Sequence, residues 1–319
     1  SFGGGTANTE FEALTGHSMR FLPTGSVPYQ QYLRRPHTSL ASIYARQGYR
    51  TAAIHTFHRW FWERDTVYPK LGFHSFTGLE DMPEAPRAGA YTSDAELTRR
   101  IVDEVQRAPT PLFLFAVSME AHGPYAPARY ETSDIDVSGA LDDAARAELG
   151  SYVEAIHHAD RELQSLIDAL SGLDRPVIVL FFGDHLPSLP LTYRQLGVIN
   201  AQGQVDRADL PLRTRLHQVP LVAWSNRPGL PRELGDLSAS FFPPLVLELT
   251  GTPGTRYTDF LRAVRQAAPV VLPGIVAEAD GAPTEEPSER FRGLEAAWWT
   301  LEYDALFGDE WLSQDETEG

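Results

Sequence analysis

The chain has no cysteine, one lysine among its 27 basic residues, and no apolar run that approaches the roughly 20 residues a membrane-crossing helix needs. The absence of cysteine excludes disulfides and thiolate metal sites. Positive charge is also short. Lys and Arg number 27 against 43 Asp and Glu, and the net charge of −16 repels a phosphate backbone, which excludes nucleic acid as a partner. Any anionic substrate must therefore be gripped locally, by a metal or by a few placed cations. No internal repeat is present. What is there is an apolar content of 42% over 319 residues, enough for the core of one large α/β domain. The chain opens at Ser1 inside a glycine-rich stretch, and is expected to be a piece of something longer.

Three segments share one design, an apolar run that stops at a histidine or an Asp-His pair: Tyr49 to His55, Pro111 to His122 and Pro176 to His185. Runs of this kind without polar alternation predict strands buried on both faces, hence a mostly parallel sheet flanked by helices. In such sheets the site lies beyond the carboxyl ends of the strands, so His55, His122, Asp184 and His185 are expected to converge.

Between the strands, helical patterns alternate as βαβ construction requires. Helices are expected over Thr38–Gln47, Thr92–Arg107, Leu141–Ser171, Leu237–Leu249, Tyr257–Gln266 and Phe291–Phe307, with a fourth strand over Val219–Trp224. The long helix places Tyr152, Ile156, Ala159, Leu163, Leu166, Ile167 and Leu170 on one face. Pro243 and Pro244 demand a bend in theirs. Residues 123–137 read as a loop, 277–289 as a loop or linker, and the acidic last residues as frayed. The expected division is a catalytic domain over 1–250 and a C-terminal extension over 251–319 that ends in an amphipathic helix.

Gly3-Gly4-Gly5-Thr6-Ala7-Asn8, followed by a helical pattern at Phe11 and Leu14, sets exposed N–H groups and a hydroxyl at a helix N-terminus, a place suited to an anion. It matches neither a Walker loop nor a dinucleotide fingerprint. Asp184-His185 at a strand exit suits a divalent cation bound by mixed oxygen and nitrogen ligands. A hydroxyl from Thr6 would make a third ligand, and a threonine on a metal loses its proton more readily, which makes it a nucleophile. Without further context, Trp62 in its aromatic cluster reads as core or lid, and Arg64 beside Asp65 as a surface ion pair.

Four ordered motifs carry a resemblance. Gly5-Thr6-Ala7-Asn8-Thr9-Glu10-Phe11-Glu12, His55 with Phe61-Trp62-Glu63-Arg64-Asp65, Met119-Glu120-Ala121-His122-Gly123-Pro124-Tyr125, and Phe182-Gly183-Asp184-His185 resemble the lipoteichoic acid synthase and phosphoglycerol transferase family of the alkaline phosphatase and sulfatase superfamily. Leu301 to Gly308 is similar to the family's C-termini. The resemblance implies an alkaline phosphatase-like fold and a Thr6 that accepts phosphoglycerol and touches the metal. It further implies that Asp184 and His185 are metal ligands and that Arg64 clamps the phosphate. His122 would contact the phosphoryl oxygens or the leaving group, and His55 and Trp62 would line the glycerol pocket. The metal it implies is manganese, with magnesium and zinc as alternatives.

The implied donor is an anionic glycerophospholipid, and the acceptor a glycan or glycerolphosphate hydroxyl. A missing N-terminal segment would hold the domain at the outer face of the cytoplasmic membrane. Two departures from the family stand out: the Glu that would be the fourth metal ligand, on an N-terminal strand, is missing, and Phe57 stands where some relatives carry a polar residue. Ser26-Val27-Pro28 and Ser188-Leu189-Pro190 lack the arginine of a sulfatase C/S-x-P-x-R motif. Phosphoethanolamine transfer, or a catalytically silent lipid- or glycan-binding domain, are the competing functions.

Overall fold

The computed structural model describes residues 5–279 and 281–309. The glycines ahead of Gly5 and the acidic tail fall partly or wholly outside these residues. Helix α1 (Thr6–Thr15) opens the fold, and its stripe Ala7, Phe11 and Leu14 is almost fully buried. Gly5 makes the sharp entry to this helix at φ 121°, a backbone state that L side chains rarely adopt. Its carbonyl accepts from the N–H groups of Asn8 and Thr9 at 2.8 and 3.2 Å, closing the first turn.

Beyond a single helical turn at Pro28–Gln31, helix α2 (Leu40–Arg46) is shorter than expected because Ser39 caps it through a reciprocal side-chain exchange with Ser42. It leads into β1 (Arg50–His55). Helix α3 (Arg64–Lys70) precedes β2 (Ser75–Thr77); α4 (Asp94–Arg107) precedes β3 (Leu112–Val117). The three strands form a parallel sheet in the order β2-β1-β3, with Ala53 opposite both Phe76 and Phe115. Helix α5 (Asp143–Ser171), capped by Asp142, returns the chain to β4 (Ile178–Phe182). The fourth expected strand is present as β5 (Leu221–Ser225), but pairs with β4 antiparallel, so the parallel character belongs to the first three strands.

A second correction concerns burial. β3 and β4 were expected to be covered on both faces, yet every residue of both is partly exposed. The cause is a cavity of about 2400 Å³ that runs along the whole of both strands. Tyr152, Ile156, Ala159, Leu163, Leu166 and Leu170, on the expected apolar face of α5, line it. β3 and β4 are not paired with each other, and each carries one edge without a strand partner among the described residues.

The C-terminal third is packed into the body. Helix α6 (Phe242–Thr250) begins just ahead of Pro243 and Pro244, which thus occupy its first turn, where proline is tolerated, and need no mid-helix kink. Leu261 and Val264 from α7 (Arg256–Ala267) share a core with Phe241 and with Phe291 and Trp298 of α8 (Glu289–Phe307). Leu306 joins Ala7, Phe11 and Leu14 beneath α1.

Gly72 closes α3 against α2 at φ 91°, and a methyl group there would lie 2.7 Å from the Ser42 Cα, a backbone atom that has nowhere to move. Gly72→Ala should cost about 2 kcal/mol or more. Gly48, at φ 81° with open space around it, should cost only about 1 kcal/mol on the same change. Urea denaturation of the two variants tests the difference, and equal losses would contradict it.

Candidate active site

Thr6, at the head of α1, and Asp184 and His185, just beyond β4, come together across 178 residues of chain. The Thr6 hydroxyl donates to Asp184 Oδ2 at 2.5 Å and lies 3.4 Å from His185 Nε2, and those two acceptor atoms are 3.3 Å apart. Thr9, three residues on, donates its hydroxyl to the Asp184 carbonyl at 2.9 Å, so α1 holds the strand exit at two points. His185 Nδ1–H donates to the Leu186 carbonyl at 2.8 Å, which leaves Nε2 with its lone pair towards Thr6 and Asp184.

These three donor atoms, two oxygens and one nitrogen separated by 2.5 to 3.4 Å, fit one side of a divalent cation's coordination shell. Among the described residues no third histidine or carboxylate completes the group.

His55 ends β1. Its Nδ1–H donates to the Val117 carbonyl at the end of β3 (3.1 Å), while Nε2 is buried without a partner. Burial, reinforced by the Arg64 charge, pushes its pKa down to about 3, so the ring is neutral and Nε2 is a pure acceptor. His122 is exposed, and its Nδ1–H donates to the Gly123 carbonyl at 2.8 Å. All three rings thus present Nε2 after anchoring Nδ1 on the main chain. Thr6, His55, Trp62, Arg64, His122, Asp184 and His185 all line the cavity described above.

Arg64 is no surface residue. It is 1% exposed and paired with Glu10 of α1, its Nη2 2.6 Å from Oε1, while Nη1 donates to the Phe61 carbonyl at 3.1 Å. Burial alone would lower its pKa, but the Glu10 charge outweighs that and raises it. The turn between β1 and α3 holds two successive non-glycine residues at positive φ, Trp62 at 59° and Glu63 at 57°. Backbone strain of that kind persists only where surrounding contacts enforce it. Trp62 is partly buried against the core of α1 and β1.

Three supporting residues escaped sequence reasoning. Glu10 reads as an ordinary helical glutamate, although it stands one turn after Thr6. Glu120, inside the Met119–His122 motif, accepts from His158 Nδ1 and from the Asp94 backbone N–H, both at 2.7 Å, and so ties the His122 segment to α5 and α4. Arg129 donates to the carbonyls of Glu120 and His122 and sits over the ring of Tyr91.

The chain is similar to several known proteins. The family model described as Sulfatase matches residues 1–252. A putative cyclic beta-1,2-glucan modification protein of Rhizobium meliloti is 41% identical over 263 residues, covering 82% of this chain and 41% of that protein. The lipoteichoic acid synthase-like YvgJ of Bacillus subtilis is 26% identical over 57% of this chain and 29% of its own length. The chain thus spans less than half of these curated relatives. Among solved structures, the Streptococcus pyogenes phosphoglycerol transferase GacH in complex with sn-glycerol-1-phosphate superposes with a TM-score of 0.79 at 22% identity, over 99% of this chain and 77% of that one. This last likeness speaks for the fold.

The depressed His55 pKa fixes a sign. Unfolded His55 binds a proton near pH 6.5 and the folded ring only near pH 3, so acidification through that window favours the unfolded state. Between pH 7 and pH 5 the wild-type protein should lose about 2 kcal/mol more stability than His55→Asn, read from denaturant midpoints at the two pH values. Parallel losses would contradict the assignment.

Proposed function

The chain belongs to the sulfatase family of the alkaline phosphatase superfamily, and on that footing we propose that it transfers phosphoglycerol from phosphatidylglycerol to an acceptor hydroxyl through a phosphothreonine intermediate. The observation that carries this reading is the Thr6 hydroxyl hydrogen-bonded to Asp184 at 2.5 Å, beside His185 Nε2, at a cavity that His55, Arg64 and His122 also line. A hydroxyl so polarised at a helix N-terminus is a nucleophile placed where anionic oxygens are stabilised.

In the first step Thr6 Oγ attacks phosphorus, its proton passing to Asp184, and the bond from phosphorus to the diacylglycerol oxygen breaks. His122, with Nδ1–H held by the Gly123 carbonyl, gives the proton on its Nε2 to the leaving diacylglycerol oxygen. Arg64 has five N–H bonds. Its Nε and one Nη2 hydrogen go to Glu10 and one Nη1 hydrogen to the Phe61 carbonyl, which leaves two for phosphoryl oxygens. The unpartnered Nε2 of neutral His55 suits a glycerol hydroxyl, and the Trp62 ring its carbons. In the second step the acceptor hydroxyl gives its proton to His122 Nε2 and attacks the phosphothreonine, and Thr6 leaves as it recovers its proton from Asp184.

A divalent cation held by Thr6, Asp184 and His185, manganese by family resemblance, would supply charge neutralisation and favour the threonine alkoxide. The fourth ligand implied by the resemblance is a Glu on a further strand. The open edges of β3 and β4 and the apolar walls between them are where such a strand fits. A lipid donor calls for work at a membrane surface, and the family resemblance favours the outer face of the cytoplasmic membrane. Among the described residues no helix is long and apolar enough to cross it. The name of the Rhizobium meliloti relative favours an envelope glycan as acceptor.

Diacylglycerol release by the full-length protein, with manganese and phosphatidylglycerol vesicles, tests the proposal. Thr6→Ala should abolish release, and chelation by EDTA should do the same until manganese is restored. Undiminished release by Thr6→Ala would refute the mechanism, and release from phosphatidylethanolamine in place of phosphatidylglycerol would reassign the donor.

A further inference from the structure

Glu10 lies one helical turn beyond Thr6, so both side chains project from the same face of α1. It is 2% exposed, and its carboxylate is saturated by donors from a single other element, α3. Arg64 Nη2 reaches Oε1 at 2.6 Å, Arg64 Nε lies 3.2 Å from both oxygens, and the Tyr68 hydroxyl donates to Oε2 at 2.9 Å. The Tyr29 and Tyr68 rings meet edge to face beside it, and burial, with the Glu10 charge adding to it, pushes both phenols far up, so both stay neutral.

An ion pair this deeply buried is poor value as packing alone, since apolar residues of like volume often stabilise a core as well or better. What it does provide is orientation. The carboxylate fixes the plane of the guanidinium, the guanidinium holds the Phe61 carbonyl, and that carbonyl begins the turn in which Trp62 and Glu63 take positive φ.

We propose that Glu10 is a positioning residue that ties the phosphate clamp Arg64 and the Trp62 turn to the helix carrying Thr6, and so sets the distance between nucleophile and bound phosphoglycerol. The inference rests on the phosphoglycerol reading of the site, and it concerns a residue that touches neither substrate nor metal. Loss of Glu10 leaves Arg64 present and charged but without its reference plane. The defect should therefore appear in recognition of the phosphoglycerol group.

The test is calorimetric titration of the full-length protein with sn-glycerol 1-phosphate, together with lipid kinetics. Glu10→Gln should weaken binding roughly ten- to hundredfold, the scale of one or two charge-assisted hydrogen bonds. It should raise KM for phosphatidylglycerol more than it lowers kcat. Tyr68→Phe, a milder change that keeps the ion pair, should shift both in the same direction by less, and it carries the test if Glu10→Gln fails to fold. In an Arg64→Gln background, Glu10→Gln should add no further loss, whereas a merely structural role would add. Unchanged affinity in both folded variants, or additive losses, overturns the inference. Wild-type protein that binds glycerol phosphate but releases no diacylglycerol would count against the proposed reaction alone, and wild-type protein that does neither would remove both.

Discussion

The buried contact between Glu10 and Arg64 is the constraint around which the site is arranged. It is the point at which α1, which carries Thr6, is locked to the segment that follows β1. Everything between the two strand ends depends on that lock: the placement of the guanidinium, the strained turn at Trp62 and Glu63, and the cavity wall that faces Thr6. On its other side, α1 is held to β4 through Asp184. At its C-terminal end a second buried polar group, His17 against His37 at 2.6 Å with Tyr257 alongside, ties it to α7. A single ten-residue helix is thereby fixed to three parts of the fold, and Thr6 at its head is held in place with it.

Much of this was legible in the sequence because strand-end chemistry is local. VIVLFFGDH states both the strand and the Asp-His pair at its exit, and the first and second runs likewise state the histidines that end them. What was not legible depended on partners remote in the chain. Nothing in Arg64-Asp65 says that the guanidinium turns inward to Glu10 and away from its neighbour. Nothing in Val219 to Trp224 gives the strand's direction, and it proved antiparallel. The burial of β3 and β4 was overestimated for a clear reason: apolar composition reports what a strand is suited to touch, and here both strands face a cavity. His158 offered no motif of its own, yet it grips Glu120 and so steadies His122.

The cavity and the charge balance bear on one another. Its walls along β3 and β4 are apolar, and the polar groups of the candidate site gather where those strands end. A chain of net charge −16 repels any anion at long range, so attraction to one must come from a locally placed cation such as Arg64. Arginine suits that task where lysine would not. Its charge survives burial, and its fork can serve Glu10 on one side and a phosphate on the other.

The anchoring of His55, His122 and His185 has a further consequence. Each ring is oriented by a main-chain carbonyl, of Val117, Gly123 and Leu186 respectively. A carbonyl is retained whatever side chain its residue bears. Substitutions at those three positions leave the anchoring acceptor in place, in contrast to sites whose histidines lean on an aspartate that a single mutation deletes. The residues that supply these carbonyls are therefore free to change in sequence without loss of the three anchors.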